Sequence, residues 1–435
     1  MISETIRRYG FWLYDALSGG QVRQYVSDLE KKLQGDLDTS SDDLRNLLNH
    51  AVNTTEFYKP FRGFSNITDF PIIRKSLIKE KYNQLMSSEY KNKRLHEVQT
   101  SGSTGEHFVM LQDKQKRKRV IAELIYFLEQ SGFKLGYRHI YARVWHEDNQ
   151  KTKLDQITHN MVMFDCSLLS NDSLHRLYQI LRKGNSMKCL TGYATSLEAI
   201  AIYFDKQGYT PDMFDMEVVV SGAERLESRA KALLKKVFGC TVVSRYANNE
   251  NGFLAQQPID GDNFILNTAH YFFETLRMNA DDPAPYGEPA RLVLTDLYNY
   301  AMPLIRYDTG DIVIARMSGN SQAKIVLTEI SGRQDEVIYD TRGNKICPHF
   351  IAVCFRRYDQ LPLYQFIQEN LKHFTVRLEG VRGLYKDEDI RKTARELVGE
   401  DAVVKIEHVD KIPHLSSGKF RKVICNYKVD TDNFR

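Results

Sequence analysis

The stretch from Met216 to Tyr246 constrains the fold of this chain more than any other. MEVVVSG, Met216 to Gly222, is a nearly continuous apolar run closed by glycine. A run without alternation suits a strand buried on both faces of a parallel sheet. ERLESRAKALLKKVFG follows, with Ala230, Leu233, Leu234 and Val237 at helical spacing and Gly239 as its stop. TVVSRY then reads as the next strand. Strand, helix and strand in about thirty residues make a βαβ unit. The first strand ends at Ser221 and Gly222, on the edge where parallel sheets bind ligands.

Neighbouring segments extend this to an α/β architecture. SSDDLRNLLNHAVNTTEFY opens with serine and aspartate and sets Leu44, Leu47, Leu48 and Val52 on one face, the pattern of a capped amphipathic helix. Val120 to Gln130 reads as another helix, stopped by Ser131 and Gly132. The basic run KQKRKR, Lys114 to Arg119, reads as its solvated start. ARLVLTDL and LIRYDTGDIVIA read as strands with polar ends. After KIVLTEISGRQDE the texture changes. A hairpin around Asp340 to Asn344, the strand HFTVRLEGV, the helix DEDIRKTARELVG and the strand DAVVKIEHVDKI make a small α+β unit. The last hundred or so residues thus read as a separate domain, joined near Gly332 to Asp335.

At 435 residues the chain is long enough for two or three cores. A formal charge of +4 is too small to argue for nucleic acid, which asks for a strong basic patch. No two of Cys166, Cys189, Cys240, Cys347, Cys354 and Cys425 have the spacing of a zinc knuckle, so they read as reduced thiols. No segment reaches signal-peptide or membrane-spanning length, and a cytoplasmic protein is expected. Phe11, Trp12, Leu13 and Tyr14 are expected to pack on the core rather than on a membrane surface.

TSGSTG, Thr100 to Gly105, gives up helix and strand propensity for small hydroxyl residues and glycines. Glycines let successive N–H groups converge on an anion, and serine and threonine add donors without bulk. It is no Walker loop, because no Gly-Lys-Ser/Thr follows, and no serine-hydrolase elbow, because G-x-S-x-G is missing. Taken alone, it reads as well as a surface turn.

Four further stretches follow it: SRYANNENG with Tyr246 and Glu250, IRYDTGD with Arg306, Asp308 and Asp311, SGRQDE with Arg333 and Asp335, and IPHLSSGKFRK with Lys419. In this order, the five resemble the motif set of the adenylate-forming acyl-ligase superfamily. The nearest branch is that of phenylacetate–CoA ligase and its relatives in capsular polysaccharide biosynthesis. LLNHAVNTTEFYKPF and DFPIIRKSLI also resemble the N-terminal pattern of that branch.

The resemblance implies a two-step reaction. A small carboxylic acid attacks the α-phosphate of ATP, giving an acyl-adenylate and pyrophosphate, and CoA, an amine or a hydroxyl then takes the acyl group. It implies an α/β fold, a large multi-sheet N-terminal domain, 1–332, and a small α+β C-terminal domain, 333–435, joined by a hinge, and it implies roles. Thr100, Ser101, Gly102, Ser103, Thr104 and Gly105 would hold phosphates, with Thr104 beside the metal. Glu250 would bind Mg2+, which needs few protein oxygens. Tyr246 would border the adenine, and Ser221, Gly222, Ala223 and Glu224 would line its edge. Asp311 would accept the ribose hydroxyls, Arg333 would sit near ribose or phosphate, and Asp335 would be the hinge. Lys419 would bridge the carboxylate and the α-phosphate as a flexible point charge. Trp145 and His146 are the candidate acid-binding residues.

Plain structural readings stay open: a polar-loop carboxylate at Glu250, a strand-end tyrosine at Tyr246, a strand-to-helix turn at Ser221 to Glu224, and a loop lysine at Lys419. The chain also departs from the pattern. GEHF replaces the usual continuation of the phosphate loop and its frequent lysine, and YANNE replaces the aromatic-glycine pair before the metal glutamate. Asn248 and Asn249 are expected to present amides to the adenylate or the substrate. Three functions compete: an acid–CoA ligase, a ligase with an amine or hydroxyl acceptor, and a non-catalytic nucleotide-binding scaffold. A scaffold has no need of a charge against each part of ATP.

Overall fold

The computed structural model describes residues 3–35, 40–100, 108–145, 150–167, 169–184, 186–318, 324–333, 338–346, 351, 354–358, 361, 363–380, 383–413 and 420–427. An antiparallel ribbon of β1 (His96–Thr100) and β2 (Phe108–Gln112) comes first. Behind it stands an eleven-stranded mixed sheet. Its parallel half holds β3 (Arg138–Arg143), β4 (Met161–Asp165), β5 (Lys188–Tyr193), β6 (Met216–Gly222) and β7 (Thr241–Asn248). The other half is antiparallel: β8 (Gly252–Gln256), β9 (Phe264–Leu266), β10 (Tyr271–Leu276), β11 (Pro289–Asp296), β12 (Tyr307–Met317) and β13 (Ile325–Arg333). Strand order is β10-β11-β12-β13-β9-β8-β7-β6-β5-β3-β4.

The βαβ unit forms as its pattern predicts, with β6 parallel to both β5 and β7. Its helix is shorter than the pattern suggests, Ser228–Phe238, because the chain at 224–227 is kept as a loop. Gly239 ends it in the left-handed region at φ +62°. Leu197, Ile200 and Phe204 from helix Ala194–Lys206 join Leu234 and Val237 in covering Ile140, Leu190, Val219 and Val242. On the antiparallel half, helix Ser40–Thr54 and the segment after it pack Leu47, Leu48, Tyr58 and Ile73 against Leu294 and Tyr307.

A smaller C-terminal domain has its own sheet. The hairpin β14 (Ile338–Tyr339) and β15 (Lys345–Ile346) is turned by Asp340, whose Oδ1 accepts the Arg342 and Asn344 N–H groups. Four strands follow, β16 (Leu363–Gln368), β17 (His373–Glu379), β18 (Val403–Val409) and β19 (Val423–Cys425), in the order β18-β17-β16-β19. Ile390 and Ala394 of helix Asp387–Val398 close a core with Phe366, Phe374, Val376 and Val404.

The basic run does start a helix, but only Lys114 and Gln115 of it are exposed. The helix begins at Lys114, capped by Asp113 accepting the Lys116 N–H at 2.7 Å, and runs to Glu129. Lys116 is fully buried, with Nζ 2.8 Å from the equally buried Asp296 and 3.0 Å from the Tyr271 hydroxyl. Arg119 lies between the rings of Tyr25 and Tyr298. Periodicity reports apolar faces and cannot register a cation buried with its counter-ion. Lys116→Met should cost about 3–5 kcal/mol, because Asp296 is left buried and unpaired; urea unfolding midpoints measure it. The N-terminal aromatics divide: Phe11 and Trp12 pack on the core, whereas Leu13 and Tyr14 are 63% and 72% exposed. No helix among the described residues is long and apolar enough to cross a membrane.

Candidate active site

Glu250 sits in the turn between β7 and β8 and is 4% exposed. Three features build that turn. Asn248 Oδ1 accepts the Asn251 N–H at 2.9 Å, and Gln112 Nε2 donates to the Glu250 carbonyl at 3.1 Å. Gly252 adopts φ +131°, and a Cβ there would lie 2.7 Å from Glu123 Oε2. Beneath it, Glu123 accepts the Phe253 N–H at 3.0 Å and meets His270 Nδ1 at 2.7 Å. Burial pushes the Glu123 carboxyl up, but Lys116 and His270 hold it below its ordinary range. Burial pushes His270 down to about 4, leaving a neutral ring that donates to the carboxylate. The turn rests on a buried polar network, and the Asn248 side chain is spent on holding it.

Around the carboxylate stand Tyr307, Lys75, Tyr246 and Asp311. Glu250 Oε1 accepts the Tyr307 hydroxyl at 2.8 Å and lies 3.4 Å from Lys75 Nζ. The Tyr246 hydroxyl donates to Asp311 Oδ2. Burial, together with the facing carboxylates, holds both phenols well above their ordinary range, so they stay protonated donors. Arg333 is the register partner of Asp311 across β12 and β13. The rest of IRYDTGD anchors the surroundings. Arg306 binds Glu274 through Nε and Nη2 and donates from Nη1 to the Phe70 carbonyl at 3.1 Å. Ile73 bonds to the Arg306 carbonyl and the Asp308 N–H, at 3.0 and 2.9 Å, which delivers Lys75 to Glu250. No pattern of spacing joins residues 75 and 250; the only trace in the sequence is the segment DFPIIRKSLI.

At the carboxyl end of β6, Ser221 is fully buried and its hydroxyl finds no partner among the described residues. Ala223 adopts φ +65°, a conformation uncommon outside glycine. This turn aims Glu224 away from its own helix. Glu224 Oε2 accepts the Thr195 N–H and hydroxyl, at 3.0 and 2.8 Å, capping a helix that lacks a side-chain cap of its own. Its Oε1 accepts the Phe420 N–H at 2.7 Å, and Lys422 Nζ meets Glu227 Oε1 at 2.5 Å. These bonds seat the C-terminal domain against the end of β6.

Trp145 is half-buried, with Nε1 donating toward the carbonyls of Tyr141 and Phe164 at 3.3 and 3.2 Å. Ser101, Gly102, Ser103, Thr104, Gly105, His146, Asp335 and Lys419 lie outside the described residues. Of Thr100 and Arg333 the backbone alone is described, each at a strand end. No cluster of three potential metal ligands occurs among the described residues.

Residues 338–426 match the CapK C-terminal domain family. Protein CapK of Staphylococcus aureus is 26% identical over 376 residues, 84% of this chain and 81% of that protein. A phenylacetate–coenzyme A ligase of Thermus thermophilus is 26% identical over 187 residues, which cover 42% of this chain and 41% of that enzyme. In fold, the chain superposes on 2-hydroxyisobutyryl-CoA ligase, solved in a postadenylation state with an acyl-adenylate, with a TM-score of 0.68. The identity there is 17%, over 91% of this chain and 89% of that one. Motif order, fold and relatives agree in likening the chain to the adenylate-forming acyl ligases, beside phenylacetate–CoA ligase and CapK.

Proposed function

We propose that the chain activates a small carboxylic acid with ATP and then passes the acyl group to CoA. A carboxylate oxygen attacks the α-phosphorus, the bond to the bridging oxygen breaks, and pyrophosphate leaves with its electron pair. The observation that carries this reading is the clasp of Phe420 on Glu224, which brings the segment after Lys419 to the end of β6. In this reading Asp311 takes the ribose, Tyr246 and the segment 221–224 border the adenine, and Ser101 to Gly105 hold the leaving pyrophosphate. In the same reading the N-terminal domain runs to 332 and the small domain from 333, with Asp335 as the hinge.

Glu250 fits magnesium: a single buried carboxylate suits an ion that completes its shell with phosphate and water, although the Lys75 ammonium contends for the same oxygen. Bound there, the ion would neutralise phosphate charge. Lys75 then answers for part of the positive charge that GEHF no longer brings to the phosphate loop.

The test is acid-dependent pyrophosphate release across an acid panel, with mass spectrometry of acyl-adenylate trapped on the protein. Release with a trapped adenylate is expected, and silence across the panel would leave the scaffold reading. Amine and hydroxyl acceptors belong in the test of the second step beside CoA. The true acceptor is the one that discharges the adenylate rapidly.

A further inference from the structure

Four adjacent parallel strands carry one row of side chains across the sheet at their carboxyl ends. Ala142 is in register with Gly192, Tyr193 with Gly222, and Ser221 with Ser244. One step further along lie Arg143 of β3, Tyr193 of β5, Gly222 of β6 and Arg245 of β7. Ile140 and Ala142 are fully buried on the opposite face, so alternation sets Arg143 on the same face as Tyr141 and His139. Gly222, having no side chain, lets the Arg245 guanidinium lie over the centre of the row.

Both guanidinium groups turn into this face. That of Arg143 lies 5.6 Å from the Tyr141 ring centre and 5.2 Å from that of Trp145, and its Nε is buried without a hydrogen-bond partner. Arg245 stands 5.6 Å over the Phe253 ring, and a Cβ placed on Gly222 would be 3.8 Å from its Nη2. The two most buried arginines of the antiparallel half are paired, Arg291 with Asp308 and Arg306 with Glu274. Among the described residues, neither Arg143 nor Arg245 is paired with a carboxylate. The nearby acids are committed elsewhere: Asp165 accepts the Ser167 N–H and hydroxyl, and Glu224 serves Thr195 and Phe420. The floor of the face is neutral. Burial, aided by Arg245, pushes His139 down to about 4, and its Nε2 lies 2.9 Å from the Thr191 hydroxyl.

Two forked cations on one aromatic-walled face have no carboxylate bonded to them among the described residues, and a guanidinium matches the oxygens of a carboxylate or phosphate bidentately. That face adjoins the segment 221–224, so this inference rests on reading that segment as the edge of the adenylate site. We propose that the row Arg143–Tyr193–Gly222–Arg245 is the acyl subsite, and that its arginines select an acid bearing a second anionic group. One carboxylate meets ATP while the other anionic group is held by the arginines. An apolar tail would leave both cations unpaired.

The experiment titrates AMP-loaded protein with glutarate, 3-phosphoglycerate and phenylacetate, and measures pyrophosphate release with the same acids. Glutarate or 3-phosphoglycerate should bind and react in preference to phenylacetate, and the stronger of the two identifies the second anion as carboxylate or phosphate. Arg143→Gln and Arg245→Gln should each weaken that acid about ten- to a hundredfold while leaving AMP binding unchanged. The proposal is overturned if neither dianionic acid binds, if phenylacetate binds more tightly, or if the variants lose AMP and acid alike. Failure of the wild-type chain to bind AMP would instead remove the nucleotide-site reading beneath it.

Discussion

A Lys419→Ala enzyme should form acyl-adenylate about a hundred- to a thousandfold more slowly than wild type, the loss typical of removing one preorganised charge from a developing oxyanion. ATP binding should survive. The reason lies in how the end of the chain is seated. Phe420 and Lys422 are bonded to Glu224 and Glu227, on the loop that follows β6. That attachment does not involve the Lys419 side chain, so the substitution removes a charge without undoing the clasp. A lysine that moves with a separate domain can also leave the site once pyrophosphate has gone, which suits a two-step reaction. Single-turnover mixing of enzyme, ATP and an active acid, quenched and assayed for adenylate, measures the effect. Adenylate at the wild-type rate would remove Lys419 from the chemistry. Equal loss of ATP affinity would assign it to binding.

The fold was legible where a pattern was local. MEVVVSG and TVVSRY are apolar because both faces of β6 and β7 are covered, and Gly239 marks a helix end because the next residue must leave in a left-handed turn. Of the candidate site, Tyr246, Glu250 and Asp311 were named from motifs, and the structure brings these three side chains together around Tyr307. What sequence reasoning missed depends on contacts between distant segments. Lys75 reaches Glu250 because Arg306 and Asp308 stitch the chain at Ile73 to the start of β12. Lys116 reads as a surface cation until Asp296, 180 residues later, is placed against it. Glu224 looks like the first turn of the helix after β6, but the left-handed Ala223 sends it to Thr195 and Phe420. Charge pairing at long range has no period, so a scan for periodicity passes over it.

Glu250→Gln is expected to lower adenylate formation about a hundredfold or more and to raise the magnesium concentration needed for half-maximal rate. Glutamine keeps the shape and can still accept from Tyr307, so the turn held by Asn248, Gln112 and Gly252 has no cause to move. What changes is charge. A buried carboxylate at this point is stabilised by the Lys75 ammonium 3.4 Å away and by the Tyr307 hydroxyl. A divalent cation competes with that ammonium for the same oxygen, because like charges this close repel strongly. Lys75→Met therefore provides the opposing case: the metal is no longer resisted at Glu250, and the magnesium requirement should stay level or fall. Affinity for metal-free ATP should drop, since a phosphate partner has gone. Both variants are read by magnesium titration of the initial rate and by calorimetric binding of ATP in EDTA. If Glu250→Gln leaves the magnesium dependence unchanged, the carboxylate is not the metal's ligand. If both variants raise the requirement together, Lys75 and Glu250 serve the shape of the site rather than opposite sides of its charge.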